Sequence, residues 1–341
     1  MQTVKVLFFG STEDSVLVLE TLASGQLSTA RLAQAPAKRV SCQLCAVVTQ
    51  PPRKTGRKQI VTATPVQLWA RAHDIPVLSF ESNTDKPWVY ADENQVIDAL
   101  QPFKADLIVS ACYGQKIPQK TIYDVPHGGL NVHPSLLPRW RGADPVPWAI
   151  YSGDHQTAVT IVTLSKEFDD GVIVSQKKIS ILDTDTSDPL RTKLFTIGAK
   201  LLEEVLSSYL SSRAKRGDLM QAIASSKTPR NDSTQYARRL TRDDGFEPWE
   251  LVRKAFSDPE MAVRIDRKFR AFTPWPGVWT KFRIRNHKLG IMEEKRLKIL
   301  ACHLTPPPHR LMLETVQLEG KRPVSWDQFT KAYVSHHERT K

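Results

Sequence analysis

Short apolar runs alternate with amphipathic stretches through the first half of the chain. Five runs have the length and composition of buried strands, and they cover Val4–Phe9, Val40–Thr49, Asp106–Cys112, Gly129–His133 and Thr157–Leu164. Between them, apolar residues recur at helical spacing. Strands that alternate with helices favour βαβ units and a parallel sheet. The pattern therefore predicts an α/β domain with a Rossmann-like, mostly parallel sheet.

The pattern changes in the last third of the chain. An amphipathic helix is predicted from Ser187 to about Leu210, and residues 211–233 are polar and read as a linker. Helices near 248–256 and 261–272 come next, followed by short strands with turn signals at 281–285, 296–300 and 311–316. Such strands are typical of a small OB-like β-barrel. We therefore expect one domain at residues 1–210, the linker 211–233, and a second domain at 234–335.

The positive charge of the chain is concentrated in this last third. The 341 residues include 48 Lys and Arg against 36 Asp and Glu, a formal net charge of +12 at pH 7. Residues 1–210 contain 21 of each sign, so the whole excess lies in residues 211–341. This asymmetry favours a basic module that meets a polyanion, either nucleic acid or an anionic membrane surface. A basic surface that only keeps the protein in solution is the alternative.

The overall composition excludes several classes of protein. Hydrophobic residues make up 40% and charged residues 25%, as in ordinary globular proteins. No uncharged apolar run approaches about 18 residues, so we expect no membrane span. Four cysteines are too few for a disulfide framework. Cys42 and Cys45 lack two further ligands at zinc spacing, so we expect structural cysteines and no metal.

The densest cluster of reactive side chains lies at the end of the predicted strand Gly129–His133. Asn131 and His133 are two residues apart, so on a strand they point to the same face. An amide and an imidazole together can stabilise a developing oxyanion, and the imidazole can also take a proton. Asp169, after the next strand, is a candidate charged partner. The structural alternative is a core histidine beside a turn-forming asparagine, but ligands of α/β sheets bind at the carboxyl ends of strands.

These residues and several others resemble the folate-dependent formyltransferases over nearly the whole chain. The most specific match is Asn131-Val-His133-Pro-Ser-Leu-Leu-Pro138-x-x-Arg-Gly142, followed by Phe168-Asp169-x-Gly171. Within that family the basic loop and the last third most resemble the members that formylate methionyl-tRNA. Further matching segments lie at residues 8–11, 47–51, 111–118, 270–277 and 316–321.

The resemblance implies a reaction and a role for each residue. The formyl group of 10-formyltetrahydrofolate would pass to the α-amine of initiator methionyl-tRNA and give formylmethionyl-tRNA for translation initiation. Asn131 would polarise the formyl carbonyl, His133 would accept or relay the proton of the attacking amine, and Asp169 would support His133 or the intermediate. This chemistry needs no metal. The implied folate contacts are Tyr113, Gly114, Ser135, Leu136, Leu137 and Pro138.

Two basic segments are candidates for contacts with tRNA. The loop at 51–58 holds four cations in six residues, and the resemblance places its Arg57 at the family's key arginine. On the predicted strand 281–285, Arg283 and Arg285 share one face. Arginine can pair with phosphate or stack on an unpaired base, whereas a solvated surface is the alternative for both segments. The expected tRNA-binding residues are Arg53, Arg57, Lys58, Arg283 and Arg285.

Two features depart from the family's usual pattern. Asp170 places a second acid beside Asp169 where the family usually has a small residue, so the identity of the acting carboxylate is open, although the motif favours Asp169. Residues 27–39 form a basic insertion. The insertion tilts the expected location toward a mitochondrion or plastid, with the bacterial cytoplasm as the alternative. We expect a monomer.

Other functions fit parts of the same sequence. A formyltransferase of this type could act on another amine, such as an amino-sugar nucleotide or a ribonucleotide precursor, or hydrolyse the formyl donor. A tRNA-binding protein with an idle site is a different class of function. The basic last third and the Arg57 loop favour a polyanionic acceptor, and the presence of Asn131, His133 and Asp169 argues against an idle site.

Overall fold

A computed structural model describes residues 2–24, 40–56, 58–211, 235–286 and 291–334. The insertion at 27–39, Arg57 and all but Ser211 of the predicted linker lie outside these residues. The chain divides into two compact units. The N-terminal unit comprises Met1–Pro145, Gln156–Ser180 and Arg191–Ala237, and the C-terminal unit comprises Val146–His155, Ile181–Leu190 and Arg238–Lys341.

Strands occur throughout the described residues. In chain order they are β1 (Gln2–Gly10), β2 (Val40–Val48), β3 (Arg53–Thr55), β4 (Ile60–Thr62), β5 (Val77–Leu78), β6 (Leu107–Ala111), β7 (Gly129–His133), β8 (Arg141–Gly142), β9 (Gln156–Thr163), β10 (Ile173–Ser180), β11 (Tyr236–Ala237), β12 (Val278–Asn286), β13 (Ile291–Leu304), β14 (Leu311–Leu318) and β15 (Val324–Ser325).

Helices separate many of these strands. They are α1 (Glu13–Ala23), α2 (Pro65–Ala72), α3 (Glu93–Leu100), α4 (Gln119–Asp124), α5 (Pro145–Tyr151), α6 (Ser187–Ser211), α7 (Trp249–Lys254), α8 (Pro259–Phe272) and α9 (Trp326–Tyr333). Single 3₁₀ turns cover Gln101–Phe103 and Arg242–Gly245. Across the described residues, no helix combines the length and the apolar character needed to cross a membrane.

A seven-stranded sheet organises the described part of the N-terminal unit. Its order is β10-β9-β7-β6-β1-β2-β5. β9 runs antiparallel to both of its neighbours, β7 and β10, and the other neighbouring pairs are parallel. The register puts Gly10 beside Ala111, and Ser110 beside Asn131. The carboxyl ends of β1, β6 and β7 therefore share one edge of the sheet, where α/β folds bind ligands. The predicted mixed α/β fold is confirmed.

Local sequence explains why the chain turns from strand to helix at this edge. The Thr12 hydroxyl caps α1 by accepting a hydrogen bond from Ser15 N, and the Ser15 hydroxyl in turn accepts one from Thr12 N. The Thr64 hydroxyl caps α2 by accepting a hydrogen bond from Gln67 N, and Pro65 occupies the first turn, where a missing N–H costs nothing. All five residues of β6 are buried, as expected for a strand covered on both faces.

The C-terminal unit contains a small β domain. The strands β12, β13, β14 and β15 form an antiparallel sheet in that order, which agrees with the predicted small β domain. Alternate residues of β12 are buried, including Phe282 and Ile284. Phe282 packs edge-on against Phe329 of α9, with ring centroids 5.2 Å apart. The core of this unit therefore lies between the sheet and its helices.

Candidate active site

The end of β7 carries the two residues that the sequence singles out. Asn131 is half-buried, and the His133 side chain is only 5% exposed. The strand places both side chains on one face because they are two residues apart. Beyond His133 the chain leaves the sheet, and the connection between β9 and β10 brings Asp169 to the same place.

Asp169 joins three parts of the chain through its carboxylate. One oxygen, Oδ1, accepts a hydrogen bond from Asn131 Nδ2 at 3.0 Å and lies 3.3 Å from His133 Nδ1. The other, Oδ2, accepts from the backbone N–H of Gly142 at 3.0 Å. The Asp169 side chain is 8% exposed, so these partners replace most of its water. The structure thus brings the predicted residues Asn131, His133 and Asp169 into one group.

The backbone at Asp169 and Gly171 is tightly constrained. Asp169 has φ of 54°, a left-handed conformation that is costly for most side chains. A Cβ on Gly171 would lie 1.8 Å from the carbonyl oxygen of Thr163, so this position accepts only glycine. The Thr163 hydroxyl accepts a hydrogen bond from Val172 N at 2.8 Å. Together these contacts fix the direction in which the Asp169 carboxylate points.

His133 lies between two hydrogen-bond acceptors. Its Nε2 is 3.0 Å from the backbone oxygen of Trp140, and its Nδ1 faces Asp169. A neutral imidazole carries one N–H and can donate to only one of these oxygens, whereas an imidazolium donates to both. The ring is therefore oriented from two sides. Its Nε2 reaches a substrate only by sharing or releasing the Trp140 carbonyl.

The segment after His133 is held by a second set of hydrogen bonds. Ser135 is buried, its hydroxyl donates to the Arg139 carbonyl at 3.0 Å, and its own carbonyl accepts from the Thr160 hydroxyl at 2.7 Å. Gln176 Nε2 donates to the Leu137 carbonyl at 3.1 Å. Leu136 and Pro138 are half-buried. The predicted folate contacts Ser135–Pro138 thus form a braced turn directly beside the Asn131–His133–Asp169 group, and their contact with folate stays a prediction.

The other two predicted folate contacts lie at the end of β6. Tyr113 is 4% exposed, its ring packs edge-on against Phe9, and its hydroxyl accepts a hydrogen bond from Tyr90. Burial raises the pKa of both phenols, so they stay protonated. The Tyr113 side chain belongs to the core, so a ligand would meet its backbone and that of Gly114, which has φ of 82°.

Cys112 lies at the same strand end but is a poor nucleophile. Burial raises the pKa of its thiol to about 12. The thiolate, which is the reactive form, is therefore scarce at neutral pH. Within the described residues no group of three or more metal-ligating side chains comes together.

Two residues beside the site have no role predicted from the sequence: Arg141, which is part of the motif, and Tyr236, which is outside it. Arg141 pairs with Asp170 at 2.5 Å, which leaves Asp169 as the carboxylate that contacts Asn131 and His133. Tyr236 of β11 lies next to β8 and is 60% exposed. Its pKa is raised by burial and then by the nearby charge of Asp169. Almost a hundred residues separate Tyr236 from Arg141, so no local motif could connect them.

The basic loop is a short hairpin rather than an irregular loop. β3 pairs with β4, and Arg53, Lys54 and Lys58 are exposed on it or beside it. Ile60 and Val61 are also exposed, at 61% and 62%. The predicted tRNA contact Arg57 lies outside the described residues.

The predicted contacts of the last third lie on β12. Arg283 is exposed there, and in the strand register it lies opposite Glu294 of β13. Lys281 is two residues earlier on the same exposed face and forms an ion pair with Glu294 at 3.1 Å. Arg285 belongs to the same strand, but its side chain is outside the described set. Binding of tRNA by these residues stays a prediction.

Comparison with known proteins identifies the family. The family model described as formyl transferase matches residues 15–206, and the one described as formyl transferase, C-terminal domain, matches residues 259–309. The methionyl-tRNA formyltransferase of Anaeromyxobacter dehalogenans (strain 2CP-C) is 35% identical over 297 residues, which cover 82% of this chain and 85% of the relative. This chain belongs to the methionyl-tRNA formyltransferase family. The family member from Roseiflexus castenholzii (strain DSM 13941 / HLO8) is 32% identical and is covered over 94% of both chains.

Solved structures share the fold at lower identity. A 4-N formyltransferase from Francisella tularensis aligns with a TM-score of 0.53 and 14% identity over 85% of this chain and 96% of that chain. HypX from Aquifex aeolicus in complex with tetrahydrofolic acid aligns with a TM-score of 0.50 and 14% identity over 85% of this chain and 48% of that chain. At such identities the likeness concerns the fold alone. Membership of the family makes this chain a formyl-transferring enzyme.

Proposed function

We propose that this enzyme transfers the formyl group of 10-formyltetrahydrofolate to the α-amine of methionyl-initiator tRNA. The observation that carries the proposal is the group formed by Asn131, His133 and Asp169, whose donors and acceptor meet within 3.3 Å at a strand end. The relatives' names supply the acceptor, and their coverage of this chain, 82% and 94%, includes both units.

The group fits the chemistry of acyl transfer to an amine. The amine nitrogen attacks the formyl carbon and forms a tetrahedral oxyanion, which collapses as the bond from carbon to the folate nitrogen breaks. Asn131 uses one N–H for Asp169, so the second N–H of its amide is available for the oxyanion. An α-amine has a pKa near 7.7–8.0 and is partly neutral at pH 7. Positioning and oxyanion stabilisation therefore matter more than deprotonation by a strong base.

Proton movement assigns the role of His133. The proton that the amine loses has to reach the folate nitrogen that leaves. His133, held by Asp169 on one side, can accept that proton and return it through Nε2 once the Trp140 carbonyl is displaced. Asp169 stabilises the imidazolium that forms and keeps its ring oriented.

A folate donor is supported by the braced turn and by the comparisons. The turn at Ser135–Pro138 presents a half-buried edge whose backbone is already ordered, so binding costs little conformational entropy. HypX, solved in complex with tetrahydrofolic acid, shares the fold. We assign the donor as the 10-formyl form because it carries the group that the reaction transfers.

The tRNA is proposed to contact two basic surfaces. One is the β3–β4 hairpin with Arg53, Lys54 and Lys58, and the other is the exposed face of β12 with Lys281 and Arg283. Cations that neutralise phosphates make binding depend on salt. Arg283→Ala is expected to weaken tRNA binding and to reduce the slope of log K against log salt by about 1. An unchanged slope would remove Arg283 from the interface.

We further propose that the enzyme is a monomer that acts in a mitochondrion or plastid. Formylated initiator tRNA belongs to translation of the bacterial type, and the basic insertion at residues 27–39 supports an organelle over the bacterial cytoplasm. Fractionation of cells that express a tagged full-length chain, with light scattering of the purified protein, tests both parts. Recovery only in the cytosolic fraction, or a dimeric mass, would contradict them.

The experiment for the proposed reaction uses Asn131→Ala and a matched control, Asn94→Ala, on the exposed side of α3. Loss of one oxyanion donor is expected to lower kcat about 10²- to 10³-fold, and the control should turn over like wild type. Equal turnover in Asn131→Ala and wild type would overturn the role of Asn131. Donor consumption without any acceptor would point to hydrolysis, and no turnover at all would favour another amine or an idle site.

A further inference from the structure

A cavity of about 310 Å³ lies in the N-terminal unit, and the two residues that flank Asp169 in the chain, Phe168 and Asp170, are part of its wall. It is lined by Arg141, Glu167, Phe168, Asp170, Gln235 and Tyr236. Four of these six side chains are polar, and the remaining two are aromatic. Such a lining suits a flat, polar, aromatic ligand better than an aliphatic side chain, because bases stack on aromatic rings and hydrogen-bond at their edges.

Backbone hydrogen bonds connect one wall of the cavity to the segment that holds the Asn131–His133–Asp169 group. Backbone hydrogen bonds join Trp140 N to the Gln235 carbonyl at 3.1 Å and Ala143 N to the Ala237 carbonyl at 2.8 Å. The segment between these two bonds includes Gly142, whose N–H holds Asp169. Residues 235–237 thus lie along the backbone that orients both His133, through the Trp140 carbonyl, and Asp169.

Tyr236 forms one wall of the cavity. Its ring lies over the backbone of Gly142, since a Cβ added there would be 2.7 Å from the Tyr236 Cζ. Tyr236 as a whole is nevertheless 60% exposed, so much of its surface is open to solvent. An exposed aromatic ring beside a reactive carboxylate is well placed to receive part of a substrate.

The short covalent distance between the reacting amine and the terminal nucleoside limits which part of the acceptor can reach this cavity. In an aminoacyl-tRNA the reacting amine is four bonds from the terminal ribose, a span of roughly 5 Å. When the amine is at Asn131 and His133, the terminal nucleoside must therefore lie in the immediate surroundings of Asp169. The cavity meets this condition because Asp170 follows Asp169 directly and Tyr236 is close enough to respond to the charge of Asp169.

We propose that this cavity binds the 3′-terminal nucleoside of the RNA acceptor, with Tyr236 as the stacking platform for its base. The Arg141–Asp170 ion pair, at 2.5 Å, forms another side of the cavity and supplies polar atoms to the base edge or ribose. Asp170 is then a positioning residue for the acceptor. This assignment deepens the proposed function and rests on its RNA acceptor.

The test compares wild type with Tyr236→Ala, Tyr236→Phe and a matched control, Tyr123→Ala. Tyr123 is 67% exposed in the same unit and lies on α4. Each protein is assayed with uncharged initiator tRNA as a binding competitor, either complete or without its terminal adenosine. Filter binding gives both affinities, and steady-state kinetics give KM for the formyl donor and for the charged acceptor.

Wild type is expected to bind the complete tRNA more tightly than the tRNA without its terminal adenosine. In Tyr236→Ala this ratio of affinities is expected to be at least five-fold smaller, which corresponds to the low end of the contribution of one base–aromatic stack. Tyr236→Phe and Tyr123→Ala should keep the preference, and KM for the donor should not change in any of them. Circular dichroism checks that Tyr236→Ala is folded.

Two results would overturn the inference. One is an equal affinity of wild type for both tRNAs, and the other is a preference in Tyr236→Ala as large as in wild type. Failure of the proposed function is seen separately, because wild type would then bind these tRNAs without formylating the charged one.

Discussion

Replacing Asp169 by asparagine isolates the carboxylate that ties the site together. The substitution keeps the size and shape of the side chain but removes its charge and one acceptor. In the native site both oxygens accept hydrogen bonds, Oδ1 from Asn131 and Oδ2 from the backbone of Gly142. An amide group has one oxygen and one NH₂, so in either orientation its NH₂ faces an N–H donor.

The magnitude follows from these contacts. A hydrogen bond to a charged group contributes roughly 1.5–3 kcal/mol, and a buried donor left without an acceptor costs roughly 1–3 kcal/mol more. Together these give about 2.5–6 kcal/mol, and most of this loss applies when positive charge develops on His133. Each factor of ten in rate corresponds to about 1.36 kcal/mol. We therefore expect Asp169→Asn to lower kcat by about two to four orders of magnitude.

The assay is single-turnover formylation of charged initiator tRNA at saturating donor. Asp124→Asn is the control, because Asp124 is exposed on α4 and pairs with Lys120 at 2.6 Å. Asp170→Asn answers the question of which acid acts, and its rate at saturating tRNA should stay within about ten-fold of wild type. A rate for Asp169→Asn within three-fold of the Asp124→Asn control would refute the reasoning, as would a larger loss in Asp170→Asn.

Three further predictions concern the scaffold. Gly171→Ala is expected to lower both the thermal midpoint and kcat, because the new Cβ would collide with the Thr163 carbonyl; a normal rate at an unchanged midpoint would be inconsistent with this. Lys268→Met should destabilise the chain by roughly 1–3 kcal/mol in urea, because it removes the 2.7 Å partner of the buried Glu247 carboxylate and leaves Arg264, at 3.0 Å, to pair with it; an unchanged or higher urea midpoint would contradict it. Asp244→Asn should be less stable than wild type at pH 6, with a gap that closes as pH falls from about 4 to about 2.

The sign of the Asp244 prediction follows from its ion pair. Hydrogen bonds from Arg238 hold the pKa of Asp244 at about 2 in the folded chain, below its usual value near 3.9. The folded state therefore favours the carboxylate above the unfolded pKa, and that stabilisation is lost as pH falls through the folded pKa. Stability curves from pH 6 to pH 2 for both proteins check the convergence.

Period and composition were enough to predict the main sheet. The expected strands at 40–49, 106–112 and 129–133 agree with β2, β6 and β7 within two residues. These strands can be predicted because short continuous apolar runs bounded by turn residues are typical of buried strands. β10 is not predicted, because its sequence, Ile-Val-Ser-Gln-Lys-Lys-Ile-Ser, has polar residues through its middle and the strand lies at an edge of the sheet, where its residues are at most partly buried.

The site was predictable only where its residues are close in sequence or matched by a motif. Asn131 and His133 follow from strand geometry, and Asp169 from its family motif. The roles of Trp140 and Gly142 depend on backbone atoms, which no side-chain pattern reveals. Tyr236 depends on the pairing of β8 with β11, a contact between distant segments of only two residues each.

Two other features lay beyond sequence reasoning for related reasons. The basic loop at 51–58 contains turn residues that favour an irregular loop, yet cross-strand pairing makes it a hairpin with exposed Ile60 and Val61. The C-terminal unit includes Val146–His155 and Ile181–Leu190, two short segments from within the predicted first domain. Periodicity describes local structure and carries no information about which unit a segment joins.

The most direct measurement follows a labelled formyl group from 10-formyltetrahydrofolate to RNA. Purified full-length protein is incubated with the donor and with methionine-charged initiator or elongator tRNA, and formylmethionine is quantified after base hydrolysis. Our account predicts rapid labelling of initiator methionyl-tRNA, slower labelling of the elongator, and a loss of at least two orders of magnitude in Asn131→Ala. Labelling of neither tRNA while the donor is consumed, or equal labelling by Asn131→Ala, would contradict it.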